Sequence, residues 1–382
     1  LSEQNVALQN GRKLHAKIYI LNFKMQKTAE ISGLVLDGAS FTNDATSDIR
    51  RVCSISLIPD LSKVTLDLTD MNIWIDKYIQ IYIGIENNTT QEIEYTNMGV
   101  YLISNPEHSY DATNNTLTLN GNDMMCKLTG LRNGYLEGIE YQIPSDSDIR
   151  NAMISAIQEA GITKYSVESP QPTPLTPFAV NTSVGSTVYD LITQLSEINA
   201  NYQTYFDVNG TFRYNRIPSG KNEQVRVDDS TWEKVLISYT KSTNFEDVKN
   251  YVEVYGKTDE RGNTPYGIAK DENPQSPFYY RGTAGIIRLV CTGDEYDNIY
   301  TSQLAQERAN YELYLHCKLQ DSLTLTCVPL FYLDVNWLIE ITLPNKLGQP
   351  ETNQYIIKQI STTFGATGTQ DITLMRYYPL YP

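Results

Sequence analysis

Short segments in which apolar and polar residues alternate recur along most of this chain. That period-two pattern restricts it to a fold built mainly of β-strands. After a polar arm over residues 1–11, the alternation begins with Leu14, Ala16, Ile18 and Ile20. It returns over Ile31–Leu36, Val52–Ile58, Val64–Leu68, Ile73–Ile85, Ile93–Ile103 and Thr116–Leu119, with turns rich in Asn, Asp, Gly and Ser between. Nothing before Gly121 reads as a long helix. Near the C-terminus Leu323, Leu325 and Cys327 alternate with polar residues, Pro329 marks a turn, and Trp337, Ile339 and Ile341 resume the pattern. So many short strands predict closure into barrels or a sandwich, because open edges invite aggregation.

The period changes after Pro144. Ser147 is placed to cap a helix carrying Ile149, Met153, Ala156, Ile157 and Ala160, with Gly161 ending it. Four prolines between Pro170 and Pro177 enforce an extended connector. A second helix is predicted from about Ser186 to Ala200, its apolar face made by Val188, Leu191, Ile192, Leu195 and Ile198. A hairpin turning at Asn209-Gly210 follows, since both residues tolerate positive φ. Strands return at Val235–Tyr239, Tyr251–Tyr255 and Ile286–Cys291, with a long excursion over 256–285 rich in Gly, Pro, Asn and Asp. A third helix is expected at about 300–315, and further strands at Gln354–Ser361 and Asp371–Arg376. The predicted organisation is a polar arm (1–11), a first β-barrel domain (12–130), an α+β domain (131–220) and a second β-barrel domain (221–382). The fold class is mainly β with an α+β insertion: two barrel-type domains flanking a small α+β domain.

At 382 residues the chain is too long for one ordinary core. Its 41% hydrophobic and 20% charged content is that of a packed protein. A net charge of −15 argues against a specific grip on nucleic acid, which needs a basic face, though it is compatible with an acidic wall past which DNA slides without sticking. Five scattered cysteines with no C-x-x-C pair predict buried free thiols and assembly in a reducing cytoplasm. No run of 18 apolar residues predicts a membrane span, and the opening residues do not read as a secretion signal, so a soluble protein is expected.

Candidate chemistry is sparse. His15, His108 and His316 stand far apart, with no zinc-ligand spacing. The oxygen-rich segment Asp37–Asp44 fails the calcium-loop pattern and reads as a solvated turn. The segment Phe364–Gln370 has glycines but no phosphate-loop lysine, and a strand rather than a helix follows it. Glu92 and Glu94 share a strand face, as solvent-facing acids commonly do. Neither a cofactor nor a metal is implied. Arg50 and Arg51, with Tyr279 and Tyr280 in the excursion, are candidate interface residues: arginine bonds carbonyls and acids bidentately, and tyrosine has an apolar body with a wet end. Trp74 and Trp337 are candidate barrel-core residues.

Four stretches carry a family likeness. They are Ile31-Ser-Gly-Leu-Val-Leu-Asp-Gly38 leading into Ser47-Asp-Ile-Arg-Arg-Val-Cys-Ser-Ile-Ser-Leu57; Ile73-Trp-Ile-Asp-Lys-Tyr-Ile-Gln-Ile-Tyr-Ile-Gly84; Gly185–Leu195 running into Tyr205–Tyr214; and Gln306–Tyr311 followed by Asp321–Ile341. In this order they resemble tail hub (baseplate hub) proteins of long-tailed bacteriophages and related contractile injection systems, in the variant found in phages of low-GC bacteria. The family's usual Gly-Asp before the last barrel strand is Leu333-Asp334 here. The resemblance implies a homotrimer at the distal end of a virion tail, assembled in the host cytoplasm. Its two barrels per subunit would form a six-membered ring below the tail tube or distal tail protein, with a spike, fibre or tip protein beneath. The lumen would pass DNA and hold the C-terminus of the tape measure protein. Some hubs continue into a peptidoglycan hydrolase; the chain stopping at Pro382 implies that this activity does not carry over, and the expected role is not enzymatic. A glycan-binding module of the tail tip, stacking sugars on tyrosine and tryptophan, is the second reading, and a peptidoglycan hydrolase the third.

Overall fold

Alternating residues become strands here because one face of each can be buried while the other meets water. The structure, a computed structural model, describes residues 6–377 apart from positions 10, 32, 36, 60–72, 74, 111–114, 139–140, 172, 178, 200, 221, 260, 294–295, 298, 319 and 345–346. The predicted strand at Val64–Leu68, and Trp74, lie outside the described residues. The N-terminal strands are β1 (Leu14–Leu21), β2 (Lys27–Ile31), β3 (Gly33–Val35), β4 (Ser40–Asp44), β5 (Arg51–Pro59), β6 (Tyr78–Glu86), β7 (Ile93–Tyr110) and β8 (Asn115–Asn122). The middle of the chain forms β9 (Gln142–Ile143), helix α1 (Ile149–Glu159), β10 (Tyr165–Val167), β11 (Val180–Asn181), helix α2 (Val188–Glu197), β12 (Tyr202–Phe206) and β13 (Phe212–Arg216). Then come β14 (Val225–Val227), helix α3 (Asp229–Val235), β15 (Leu236–Asn244), β16 (Tyr251–Tyr255), β17 (Tyr266–Lys270), β18 (Arg288–Cys291) and helix α4 (Ser302–His316). The last strands are β19 (Gln320–Cys327), β20 (Leu338–Pro344), β21 (Pro350–Thr363) and β22 (Gln370–Arg376).

The expectation of two barrels is overturned. Strands from both ends of the chain join one 14-stranded sheet whose main path runs β15-β19-β22-β21-β4-β5-β8-β7-β6-β1-β2, with β20 and β14 branching from β21 and β3 from β5, and among the described residues no sheet closes on itself. The reason lies in β21. Its 14 residues are long enough to pair with β20 over Pro350–Ile356 and with β4 over Gln359–Thr363, while β22 lines its other side. The open edge of β4 is thus satisfied by the other half of the chain, and closure is not needed to protect it. The two outer edges carry lysines, Lys27 on β2 and Lys241 on β15, which disfavour pairing with another chain.

A large core runs through both halves of this sheet. Ile55, Leu57, Ile79, Ile81 and Leu119 from the N-terminal strands share it with Leu323, Leu325, Ile339, Ile357, Ile372 and Leu374, and also with Val6 and Ala7. Trp232 on α3 is buried in it at 1% exposure. A second core packs α1 and α2 on the β12–β13 hairpin through Met153, Ile157, Leu191, Leu195, Phe206 and Phe212, and Tyr78, Val100 and Leu102 of the large sheet extend it. Both helices have side-chain caps: Asp148 accepts from the Asn151 N–H, and Thr187 forms a reciprocal capping box with Asp190. Ser147, the predicted cap, instead donates its hydroxyl to the Pro144 carbonyl. The hairpin turns where expected, with Gly210 at φ 66°. A third, small core lies between α4 and the three-stranded sheet β17-β16-β18, where Val252, Val254, Ala269 and Cys291 face Ala305 and Ala309.

Candidate functional site

The Arg50-Arg51 pair lies where the N-terminal strands, the β12–β13 hairpin and the loop before β20 meet. Arg51 is 3% exposed and Arg50 6%. The Arg51 guanidinium donates to Asp334 Oδ1 at 2.6 Å and to the carbonyl of Phe206, and its backbone N–H donates to Asp123 Oδ2 at 2.9 Å. Burial pulls the Arg51 pKa down, but Asp334, Tyr101 and Asp123 outweigh it and the net shift is upward. Asp334 Oδ1 also takes Asn43 Nδ2 at 2.7 Å and the Val335 N–H at 2.8 Å. One carboxylate oxygen thereby ties β4, β5 and the turn before β20 together.

Arg50 points the other way. Its guanidinium donates to Gln203 Oε1 at 2.9 Å and lies 4.2 Å from the centre of the Tyr205 ring. Burial first, and then the like charge of Arg51, lower its pKa to about 10. Gln203 also accepts from Asn336, whose φ of 59° is the left-handed conformation asparagine tolerates. Both arginines therefore bond to residues of their own chain. Asp123, Gln203, Asp334, Asn336 and Lys358 complete the cluster, and none was singled out from sequence as a site residue. Asp334 alone had a signal, as the position of a family departure; the others become neighbours only through the fold.

Tyr279 and Tyr280 lie elsewhere, beside the small sheet. Their rings meet edge to face at 5.4 Å, and Tyr280 lies 6.4 Å from Tyr251 of β16. Lys270 Nζ and the Arg281 guanidinium are each 5.0 Å from the Tyr280 ring centre. Pairing of Tyr251 with Lys270 and Arg288, of Glu253 with Ile268 and Val290, and of Tyr255 with Tyr266 sets these residues on the sheet face away from α4. Tyr266 and Val290 are exposed at 57% and 48%. The excursion over 256–285 thus contains a strand, β17, and supports an aromatic, partly cationic surface.

Trp337 is half-buried against the large core, with the Arg226 guanidinium 5.7 Å from its ring, and it lines a cavity of about 320 Å³ together with Arg51 and Asp334. With Trp232 fully buried, the two described tryptophans do not form an open sugar-stacking platform. Among the described residues no group of three His, Cys, Asp or Glu side chains is placed to hold a metal ion, and no helix is long and apolar enough to cross a membrane. No disulfide joins the five cysteines, and all but Cys317 are buried.

This architecture is shared with tail proteins. The chain superimposes on the 43 kDa tail protein of prophage MuSo2 from Shewanella oneidensis with a TM-score of 0.62 at 12% identity, covering 94% of this chain and 98% of that one. A tail protein from Neisseria meningitidis matches with the same TM-score at 10% identity, over 94% and 96% of the two chains. A component of the Escherichia coli type VI secretion system, itself similar in structure to the T4 tail proteins gp27 and gp5, matches at 0.53 and 10% identity over 97% and 79%. The fold is therefore that of phage tail and injection-machine proteins. Residues 275–381 match a family described as a domain of unknown function (DUF5048). No curated protein matches in sequence.

Proposed function

We infer that this chain is a structural component of a phage-type tail, working as the hub between the tail tube and the tip. The observation that carries this reading is the fold shared with tail proteins over nearly the full length of both chains. The finer reading is a homotrimer at the distal end of the tail. Three copies would bring six β-rich halves beneath a six-fold tube while keeping three-fold symmetry towards a spike, fibre or tip protein. An acidic balance of −15 supports a lumen through which DNA and a tape measure pass without adhering. The aromatic face around Tyr266, Tyr279 and Tyr280 fits the composition of a protein interface, whereas Arg50 and Arg51 hold the subunit itself together.

The test has two arms. Native mass spectrometry of the purified chain, alone and with its tube-side neighbour, is expected to give three copies per complex. Gold-labelled antibody is expected to mark the distal end of purified tails. A monomer under every condition, together with tails that carry no label, would overturn the proposal.

A further inference from the structure

Arg50, Lys358 and Asn336 form the floor of a cavity of about 400 Å³ between the turn after β4, helix α2, helix α4 and strand β21. Lys358 Nζ reaches Asn336 Oδ1 at 3.4 Å, and Arg50 has Gln203 and the Tyr205 ring as its side-chain partners. Neither cation forms an ion pair with a described residue. The nearby carboxylates are already committed. Asp334 is bonded to Arg51, and Asp123 gives one oxygen to the Arg51 N–H and the other to the Met125 N–H. Buried charges are normally paired, because desolvation is otherwise uncompensated. Burial lowers the pKa of Lys358, with Arg50 adding to the effect, and Asp334 and Asp123 act on Arg50 through space without an ion pair, so no carboxylate is bonded to either cation. The acids of this cavity, Asp48 and Glu197, are exposed, and Asp48 already accepts the Tyr189 hydroxyl at 2.8 Å. Exposed acids disfavour a long polyanion such as nucleic acid while leaving room for a small one.

We propose that this floor binds one small oxyanion, a phosphate or a carboxylate, held between the Arg50 guanidinium and the Lys358 ammonium. The guanidinium supplies a planar pair of donors and the ammonium a compact charge, which together match two oxygens of such a group.

The experiment is thermal unfolding of the full chain titrated with inorganic phosphate, with acetate, and with chloride at matched ionic strength. A saturable rise in Tm is expected with phosphate or acetate and not with chloride. A response to phosphate alone identifies a phosphate site; a response to acetate as well identifies a site that a protein carboxylate can fill. Lys358→Met is expected to weaken the apparent affinity at least tenfold. It is also expected to keep a Tm in chloride at or above that of the parent, since it removes an unpaired, half-buried charge. A purely structural Lys358 would instead lower Tm in every salt. Arg50→Gln provides a second variant with the same expected loss of response, and any general stabilisation by phosphate persists in both variants as the baseline. Equal slopes in all three salts, or full saturable responses retained by both variants, would overturn the proposal.

Discussion

Asp334 holds three donors on one oxygen, and Arg51 beside it is almost wholly out of water. Removing one partner of such a pair costs more than the pair contributes, because the other charge stays buried. Asp334→Ala is therefore expected to destabilise the chain by about 3 kcal/mol, the low end of the range for buried pairs because the Asp334 side chain is 25% exposed. Urea unfolding measures this, and a loss well under about 1 kcal/mol would mean that solvent screens the pair. His316 gives a pH-dependent counterpart. Its Nε2 lies 3.6 Å from Glu312 Oε2 and its Nδ1 3.2 Å from the Asp247 carbonyl, and the Glu312 bond, against burial, raises its pKa above the ordinary 6.5. Burial pushes Glu312 up, but bonds from His316 and Arg308 outweigh it and hold the carboxyl below 4.5. The His316 contribution is thus complete below pH 6.5 and lost as pH rises through the raised folded value. That of Glu312 is present above pH 4.5 and lost as pH falls through its lowered one. His316→Gln is expected to lower the urea midpoint at pH 6 and to leave it close to the parent at pH 9. Equal effects at both values would remove protonation from the explanation.

Helix α4 and its small sheet meet through their backbones. A Cβ on Gly267 would lie 2.3 Å from the Gln306 nitrogen and 2.5 Å from the Ala305 carbonyl oxygen. Gly267→Ala must therefore push α4 off β17, at an expected cost of about 1–3 kcal/mol. Hydrogen exchange should speed up in α4 and β16 while β19 and β22 keep their protection; a uniform change would place the strain elsewhere. The same contact shows why some elements were legible and others were not. Asn209-Gly210 carries its turn chemistry locally, and Val188, Leu191, Ile192 and Leu195 carry a helical period, so the hairpin and helix were readable to within a few residues. Strand β17 was read as part of a loop because Pro265 and Gly267 break its alternation, and that glycine is required by a helix some 40 residues away in sequence. Helix α3 was missed because seven residues carry little period; its signal was only Trp232 and Val235 three apart, and Val235 was assigned to the following strand.

At the scale of the molecule, many strands were readable one by one, but the pairing that overturned the barrels was not. Alternation tells a strand which face is buried, not which edge it will meet. Gln359–Thr363 pairs with Ser40–Asp44 across more than 300 residues, and no local residue type encodes that choice. The Arg50-Arg51 cluster depends on the same closure, since Asp334 and Lys358 reach it only once β21 lies beside β4. Because β21 is hydrogen-bonded to both halves and Phe41, Ile55, Ile357 and Ile360 share one core, the halves cannot lose structure independently. Denaturant-dependent hydrogen exchange at Ile79–Ile83 and at Leu323–Cys327 is therefore expected to report a single opening free energy. Ile360, 4% exposed in the segment of β21 that pairs with both β4 and β22, provides the decisive variant. Ile360→Ala is expected to cost about 2–5 kcal/mol, seen equally at both sets of amides. If only Leu323–Cys327 loses protection while Ile79–Ile83 is unchanged, the halves are separate folding units and the shared sheet is only a docking contact.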